Sequence, residues 1–447
     1  MMHVINHSAL GVAALFLLLL AAGFELPLNP SAMAGPGTAL MQGVSAGLLL
    51  LLLASVLQSG RGPRIAFWIG LLLLVGLPAL YLLNASHIWR DGTGLVPVAH
   101  WRWLPATAYP AGTLTAIWLG LGVAAALGLA VRLSARGRDV LIGLIVAVGA
   151  IMAGVVLYQR YEPRPFPVYP WTGLFVNRNH FAAFACLVYP VAIVSGIRLQ
   201  IRAYRQGRLS SPAGLVYVTA GLMAFAAFKT DSRAGLVIII LQTLGLGLLL
   251  GPHLLTAGMH RVGLFHRFRR IWLSLLVLML GIGGYAIARV GAFGRVVGDL
   301  AFRGALWRDT LDMWQSRPVW GTGPGTFEAV IPYYQSDAIA ALYFRHAHND
   351  PLQFLSEFGG LGGGLTLIGV VLLLWGARRR KAGSESDHES DEWWPAGLLA
   401  GLTGVLLHGL VDFPFQHPLI LLLVCVWLGI LAGTRFPQRE RESTSRP

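Results

Sequence analysis

Arg345-His346-Ala347-His348-Asn349-Asp350-Pro351-Leu352-Gln353 leads, a few residues on, into an apolar run from Gly359 to Trp375. That junction decides the fold. The run holds no charged side chain and, as a helix, is long enough to cross the hydrocarbon of a bilayer. In front of it stand a cation, two imidazoles, a carboxylate and two carboxamides. Such a polar cluster at a membrane surface is costly unless it handles a polar ligand, so it reads as a functional site. The competing reading is a turn, with Asn349 and Asp350 folding back on the backbone ahead of Pro351. A turn uses one or two of these side chains and neither histidine.

Outward from this junction the same kind of apolar run recurs. The spans fall at 9–24, 39–57, 65–83, 113–131, 140–158, 181–197, 213–228, 234–250, 271–288, 359–375, 395–411 and 417–434. Hydrocarbon offers a backbone no hydrogen-bond partner, so each must be a helix. The fold class is an all-α polytopic membrane protein with about 12 transmembrane helices. Composition agrees: 55% of residues are apolar, only 12% are charged, and mean hydropathy is +0.64. The first run is kept as a helix and not a signal peptide. Met1 to His7 hold no Lys or Arg, and no small-x-small cleavage site precedes Glu25.

Basic residues set the orientation. With the N-terminus inside, the inner segments carry Arg61 and Arg64, then Arg132, Arg136 and Arg138, then Arg198, Arg202, Arg205 and Arg208. Arg261, Arg267, Arg269 and Arg270 follow, then Arg378, Arg379, Arg380 and Lys381, and finally Arg435, Arg439, Arg441 and Arg446. Every inner segment has at least two, so both termini are expected in the cytoplasm. The formal charge of +14 is therefore a topological signal with an attraction to anionic lipid. No basic face is interleaved with aromatics as a nucleic-acid surface requires. No glycine-rich phosphate loop or zinc-like Cys/His spacing appears, so no ATP, metal or other cofactor is expected. Cys186 and Cys425 lie inside spans as small packing residues.

One integrated membrane domain is expected. It has helices 1–9 over 1–290, a large outer loop over 291–358, and helices 10–12 with a tail over 359–447. The large loop carries a helix around Ala301–Gln315, the turn Gly321-Thr322-Gly323-Pro324-Gly325 and a tyrosine-rich stretch up to Tyr343. A loop this long usually has a function of its own. Residues 84–112, with Trp89, Trp101 and Trp103 among His87, Arg90, His100 and Arg102, read as a segment lying at headgroup depth. Residues 382–392 read as a solvated linker.

The outer face has a surplus of cation: Arg289, Arg295, Arg303, Arg308, Arg317 and Arg345, with Arg233 between two spans. Guanidinium forks match phosphate oxygens, so these arginines fit a diphosphate. For Arg233 the alternative is an interface anchor or an ion pair with Asp231. For Arg303 it is a solvated helix charge, with Leu306, Met313 and Trp314 on the apolar face. Asn177, Arg178, Asn179 and His180 enter the sixth span, either as a helix cap or as contacts to sugar hydroxyls or phosphate. Arg345, Asn349, Asp350 and Gln353 are further candidate contacts. His408 and Asp412, deeper in the chain, read as a structural hydrogen bond between helices.

The ordered set resembles the O-antigen ligase and polymerase superfamily. It comprises Asn177-Arg178-Asn179-His180; Ser232-Arg233-Ala234-Gly235; Arg303 and Trp307 leading to Pro318, Gly321, Gly323, Gly325 and Phe327; and His346 to Gln353 before Glu357-Phe358-Gly359. The resemblance covers roughly residues 177–360. It implies a metal-independent, inverting glycosyltransferase in the bacterial inner membrane, its active site periplasmic. Its donor would be an undecaprenyl-diphosphate-linked glycan and its acceptor lipid A–core or a growing glycan. By motif it implies Arg233 and Arg303 on the diphosphate and His348 at the acceptor hydroxyl, with His346 competing. Ligase, polymerase and protein O-glycosylation all remain open within it. A lipid-linked sugar transporter is the alternative from another class.

The chemistry holds together apart from the resemblance. Outside the cytoplasm there are no nucleotide sugars, so an activated donor must be lipid-linked. Fixed guanidinium groups can stabilise a departing diphosphate. A neutral imidazole can take the acceptor's proton, and Asn349 and Asp350 beside His348 could orient that ring.

Overall fold

The computed structural model describes residues 2–23, 36–59, 62–90, 92–161, 175, 177–208, 210–256, 277, 281, 293–378 and 393–434. They form helices α1 (Met2–Ala21), α2 (Pro36–Ser59), α3 (Ile65–Leu83), α4 (Pro110–Arg132), α5 (Ala135–Tyr161) and α6 (Arg178–Arg205). There follow α7 (Ala213–Lys229), α8 (Arg233–Thr256), α9 (Phe293–Ser316), α10 (Asp350–Ala377), α11 (Trp394–Gly409) and α12 (Pro418–Gly433). Among the described residues seven helices are long and apolar enough to cross a membrane, and Gly11–Ala21 of α1, α7 and α12 are shorter apolar stretches. Each expected span coincides with a helix except 271–288, which apart from 277 and 281 lies outside the described residues, as do 382–392 and the tail. The chain is a multi-pass membrane protein. Leu50, Leu57, Leu72, Leu248 and Val371 stand exposed on the flanks, as side chains that face lipid would.

Helix α6 is the hub, buried along almost its whole length, with α5, α7, α8 and α11 packed round it. Helix α4 is a second centre, against α2, α3, α10 and α12. Small residues allow the close approaches. A Cβ on Gly401 of α11 would meet the Leu187 carbonyl of α6 at 2.5 Å, and one on Gly376 of α10 would meet the Phe67 amide of α3 at 2.2 Å. In α3, Pro78 has no amide to offer the Leu74 carbonyl, and the helix widens into a π-turn over Leu72–Gly76 just before it.

The segment between α3 and α4 contains regular structure. His87–Arg90 and Gly94–Pro97 pair as an antiparallel hairpin, His87 opposite Pro97 and Arg90 opposite Gly94. Nothing in the sequence signals this hairpin, because four-residue strands are too short to stand out by alternation. The long polar loop does contain a helix, α9, which covers the expected 301–315. Leu306, Met313, Phe327, Ile331, Phe344 and Ala347 give it a small apolar core separate from the membrane core.

The loop is fastened to α10 where that helix breaks. Gly359 has φ 66° and ψ 179°, a conformation open to glycine. The break frees carbonyls and amides that the loop takes up. Thr322 N donates to Ser356 O (3.1 Å) and Gly323 N to Glu357 O (2.8 Å), while Gly360 N donates to Pro318 O (2.8 Å) and Leu361 N to Val319 O (3.1 Å). The buried Glu357 carboxylate accepts from Gly325 N (2.9 Å) and Phe327 N (3.0 Å). Tyr81 of α3 closes the joint, its hydroxyl donating toward Trp320 O (2.5 Å) and Phe358 O (3.0 Å).

Candidate active site

The site lies where α10 begins and α11 ends. Asn349 caps α10, its side-chain oxygen accepting from Leu352 N (2.9 Å), and Pro351 fills the first turn, where a missing amide costs nothing. The Asn349 amide also reaches Leu410 O (3.0 Å), tying the loop to α11. Asp350 is buried, and its two oxygens accept from Phe415 N (3.0 Å) and Gln416 Nε2 (3.3 Å). Gln353, also buried, accepts from Ala347 N (3.0 Å). The turn reading therefore accounts for Asn349 and Asp350. They hold the scaffold and do not orient His348, as their adjacency in sequence had indicated.

His348 is oriented by Asp412. Its Nδ1 lies 3.2 Å from Asp412 Oδ1, and Asp412 is almost completely buried. The His348 backbone sits at φ 50°, uncommon for a residue with a Cβ. Trp307 Nε1 holds the His348 carbonyl there at 3.3 Å. Burial pushes the Asp412 carboxyl upward, but the hydrogen bond and charge of His348, with the charges of His408 and Arg303, outweigh it, and the net shift is downward. An ionised Asp412 accepts a hydrogen bond from the Nδ1–H of His348 and leaves Nε2 as the basic atom. Of the pair expected to make a structural hydrogen bond between helices, Asp412 instead meets the histidine loop. His408 is fully buried, with neither ring nitrogen hydrogen-bonded among the described residues.

Phe413 binds the histidines together. His346 stacks on it (centroids 4.5 Å, 28° between planes), His348 meets it edge-on (4.7 Å, 86°), and so does His180 (5.0 Å, 85°). His346 is pushed down to about 3, first by burial and then by the positive charges of His180, Arg345 and His348. It is thus a neutral ring and a poor proton acceptor. His348 alone of the two has a carboxylate partner.

Arg303, from the first half of α9, donates to the Val411 carbonyl, beside Asp412. Arg233 opens α8 at the same end of the bundle, where Gly235 packs on Ala182, two residues beyond His180. Its side chain is exposed, and the neighbouring Asp231 faces Arg160 at 3.9 Å. Asn177 is the cap of α6, accepting from Asn179 N at 2.9 Å, while Arg178 is exposed and His180 buried. Arg345 pairs with Glu328 (3.3 Å), which also accepts from the Tyr343 hydroxyl.

Residues 218–367 match the O-antigen ligase family model. The chain carries an O-antigen ligase family domain. No curated protein matches the chain. The family consists of membrane enzymes of ligase or polymerase type, acting on lipid-linked glycans in general. The matched O-antigen ligase stretch holds Arg233, Arg303, His346, His348 and Gln353. Asp412, Phe413 and His180 lie outside it, and only the fold brings them to His348. Sequence reasoning took Asp412 for a structural hydrogen-bonding residue and passed over Phe413. The signal that could have found them is an aspartate and an aromatic directly after an apolar span, facing the same side as the histidine loop.

Proposed function

We propose that the protein is a membrane glycosyltransferase of the O-antigen ligase type. It would move a glycan from undecaprenyl diphosphate to a sugar hydroxyl of lipid A–core, at the periplasmic face of the bacterial inner membrane. In this reading the chain crosses twelve times with both termini in the cytoplasm. The observation that carries the reading is the His348–Asp412 pair beside Arg303, at the mouth of a membrane bundle.

The step balances on these residues. The acceptor hydroxyl oxygen attacks the anomeric carbon, and its proton passes to Nε2 of His348. The bond from that carbon to the diphosphate oxygen breaks, and undecaprenyl diphosphate leaves with the electron pair. Attack opposite the leaving group inverts the anomeric centre. Asp412 stabilises the imidazolium that forms, as a fixed anion held away from water. Arg303 and Arg233 take the charge growing on the diphosphate; a lysine at 303 would offer a point charge in place of the fork.

The test is purified enzyme with lipid-linked donor and acceptor. His348→Ala should insert and fold normally yet lose transfer by on the order of 10²–10⁴-fold, the usual share of a general base. His346→Ala should be milder. Normal rates for His348→Ala would remove this mechanism. A glycan gel of the deletion strain separates the family's two activities. Loss of long chains from lipid A with carrier-linked polymer still present supports ligation, whereas single repeats on lipid A identify a polymerase.

A further inference from the structure

A second basic surface at the same end of the bundle is used by none of this chemistry. Asn84, the residue after α3, ties down the loop: its amide donates to Trp101 O (3.0 Å) and Pro105 O (3.0 Å), and its oxygen accepts from Trp101 N (2.9 Å). Trp101 and Trp103 stack (6.0 Å, 22° between planes) and stay 64% and 72% exposed. Arg102, between them in sequence, is exposed to solvent. From the other side, Trp320 Nε1 donates to Trp103 O (3.1 Å), bringing the start of the 317–327 loop against the pair. Arg317 at that start is half-buried and within electrostatic reach of Arg102 and His87. No acidic side chain pairs with Arg102 or Arg317 among the described residues.

Two guanidinium groups within electrostatic reach of each other and without an acid are unfavourable until an anion joins them. Two exposed indoles are likewise unfavourable until something apolar covers them. Both needs arise at the end of a membrane-crossing helix, and one kind of ligand answers both. We propose that Trp101, Arg102, Trp103 and Arg317 bind the phosphate headgroup of a membrane lipid, the guanidinium groups on the phosphate and the indoles among the carbons beneath it. A sugar fits less well. The indoles already use a face each on one another, and the one carboxamide at hand, Asn84, is consumed by backbone. The proposal needs only that the bundle spans a membrane and is independent of glycosyl transfer.

The experiment is lipid counting by native mass spectrometry, on full-length protein released from phosphatidylcholine nanodiscs containing a minor share of phosphatidylglycerol. Wild type should retain phosphatidylglycerol in preference. The preference should fall about fivefold in Arg102→Gln and roughly thirtyfold in Arg102→Gln/Arg317→Gln, from the usual worth of a basic residue at a lipid surface. Trp101→Ala/Trp103→Ala should lower retention of both lipids and leave the preference. Arg102 is exposed, so its variant tests the idea without risk to folding. Wild-type preference in the double arginine variant would sink the proposal. Two further results would also overturn it: release of the lipid by inorganic phosphate, which marks a free-phosphate site, or by a neutral oligosaccharide, which marks a sugar platform.

Discussion

The two ends of the bundle use the same charged chemistry for opposite purposes. Away from the site, Asp139 of α5 gathers Arg198 (2.9 Å), Arg202 (3.0 Å) and the Trp394 indole (3.2 Å), and Arg198 also lies 3.9 Å over the Trp394 ring. Three helices are locked by one carboxylate. At the site end Arg303 rests on a backbone carbonyl, Arg102 and Arg317 have no acidic partner among the described residues, and Asp412 serves a histidine. Where cation and anion are matched, the structure is complete. Where cations outnumber anions, the missing charge points to a ligand.

Exchanging the roles of the two carboxylates is the strongest way to break this comparison. Asp412→Asn should keep the fold and cut transfer by on the order of 10³-fold, because the ring loses the anion that fixes its tautomer and its charge. Steady-state rates beside a thermal melt separate the two effects. A variant that melts early at full specific activity would make Asp412 a structural residue like Asp139.

Asp139→Asn should do the reverse. It leaves the buried Arg198 short of its charge partner, a loss of about 3 kcal/mol, toward the low end for a broken buried pair because Asp139 itself is 28% exposed. Activity per folded molecule should be unchanged, as read from denaturation in detergent against active-site titration.

A pH series sharpens the contrast at the site end. His346 has its ordinary value of 6.5 when unfolded and about 3 when folded, so between those values the unfolded chain binds the extra proton. Stability is therefore lost as pH falls through that window and regained as it rises. His346→Gln should flatten this slope, with a smaller drop in melting temperature between pH 7 and 4.5. An unchanged slope would assign the acid sensitivity elsewhere. The smallest effect belongs to Arg345→Gln. Its pair with Glu328 is solvent-exposed, so stability should move by under about 1 kcal/mol in a melting experiment.

What could be read in advance follows from physical range. Spans announce themselves by run length, since the bilayer leaves a helix no alternative, and α1 through α8 and α10 through α12 stand where the runs do. The histidine loop could be read as a candidate site because its polarity is local. The partner of His348 was not. Asn349 and Asp350 are nearer in sequence, but a cap and a buried turn consume them, and Asp412 arrives from 64 positions away by helix packing. A lone aspartate after an apolar run gives no sign of what it will meet. The hairpin at His87–Pro97 was hidden for a related reason: its ends are set by residues flanking it, Val98 N donating to Ser86 O (2.9 Å) and Ser86 N to Thr107 O (2.8 Å).

The break at Gly359 has a mechanical consequence. Since Pro318, Val319, Thr322 and Gly323 exchange hydrogen bonds with the opened turn of α10, the glycine-rich segment is spliced into a membrane helix and cannot swing as a flap. Its amides should resist deuterium for as long as those of the helix beside them. Whatever enters the site must then come past a fixed rim, sideways from the lipid or down from solvent, through an opening whose width is built in.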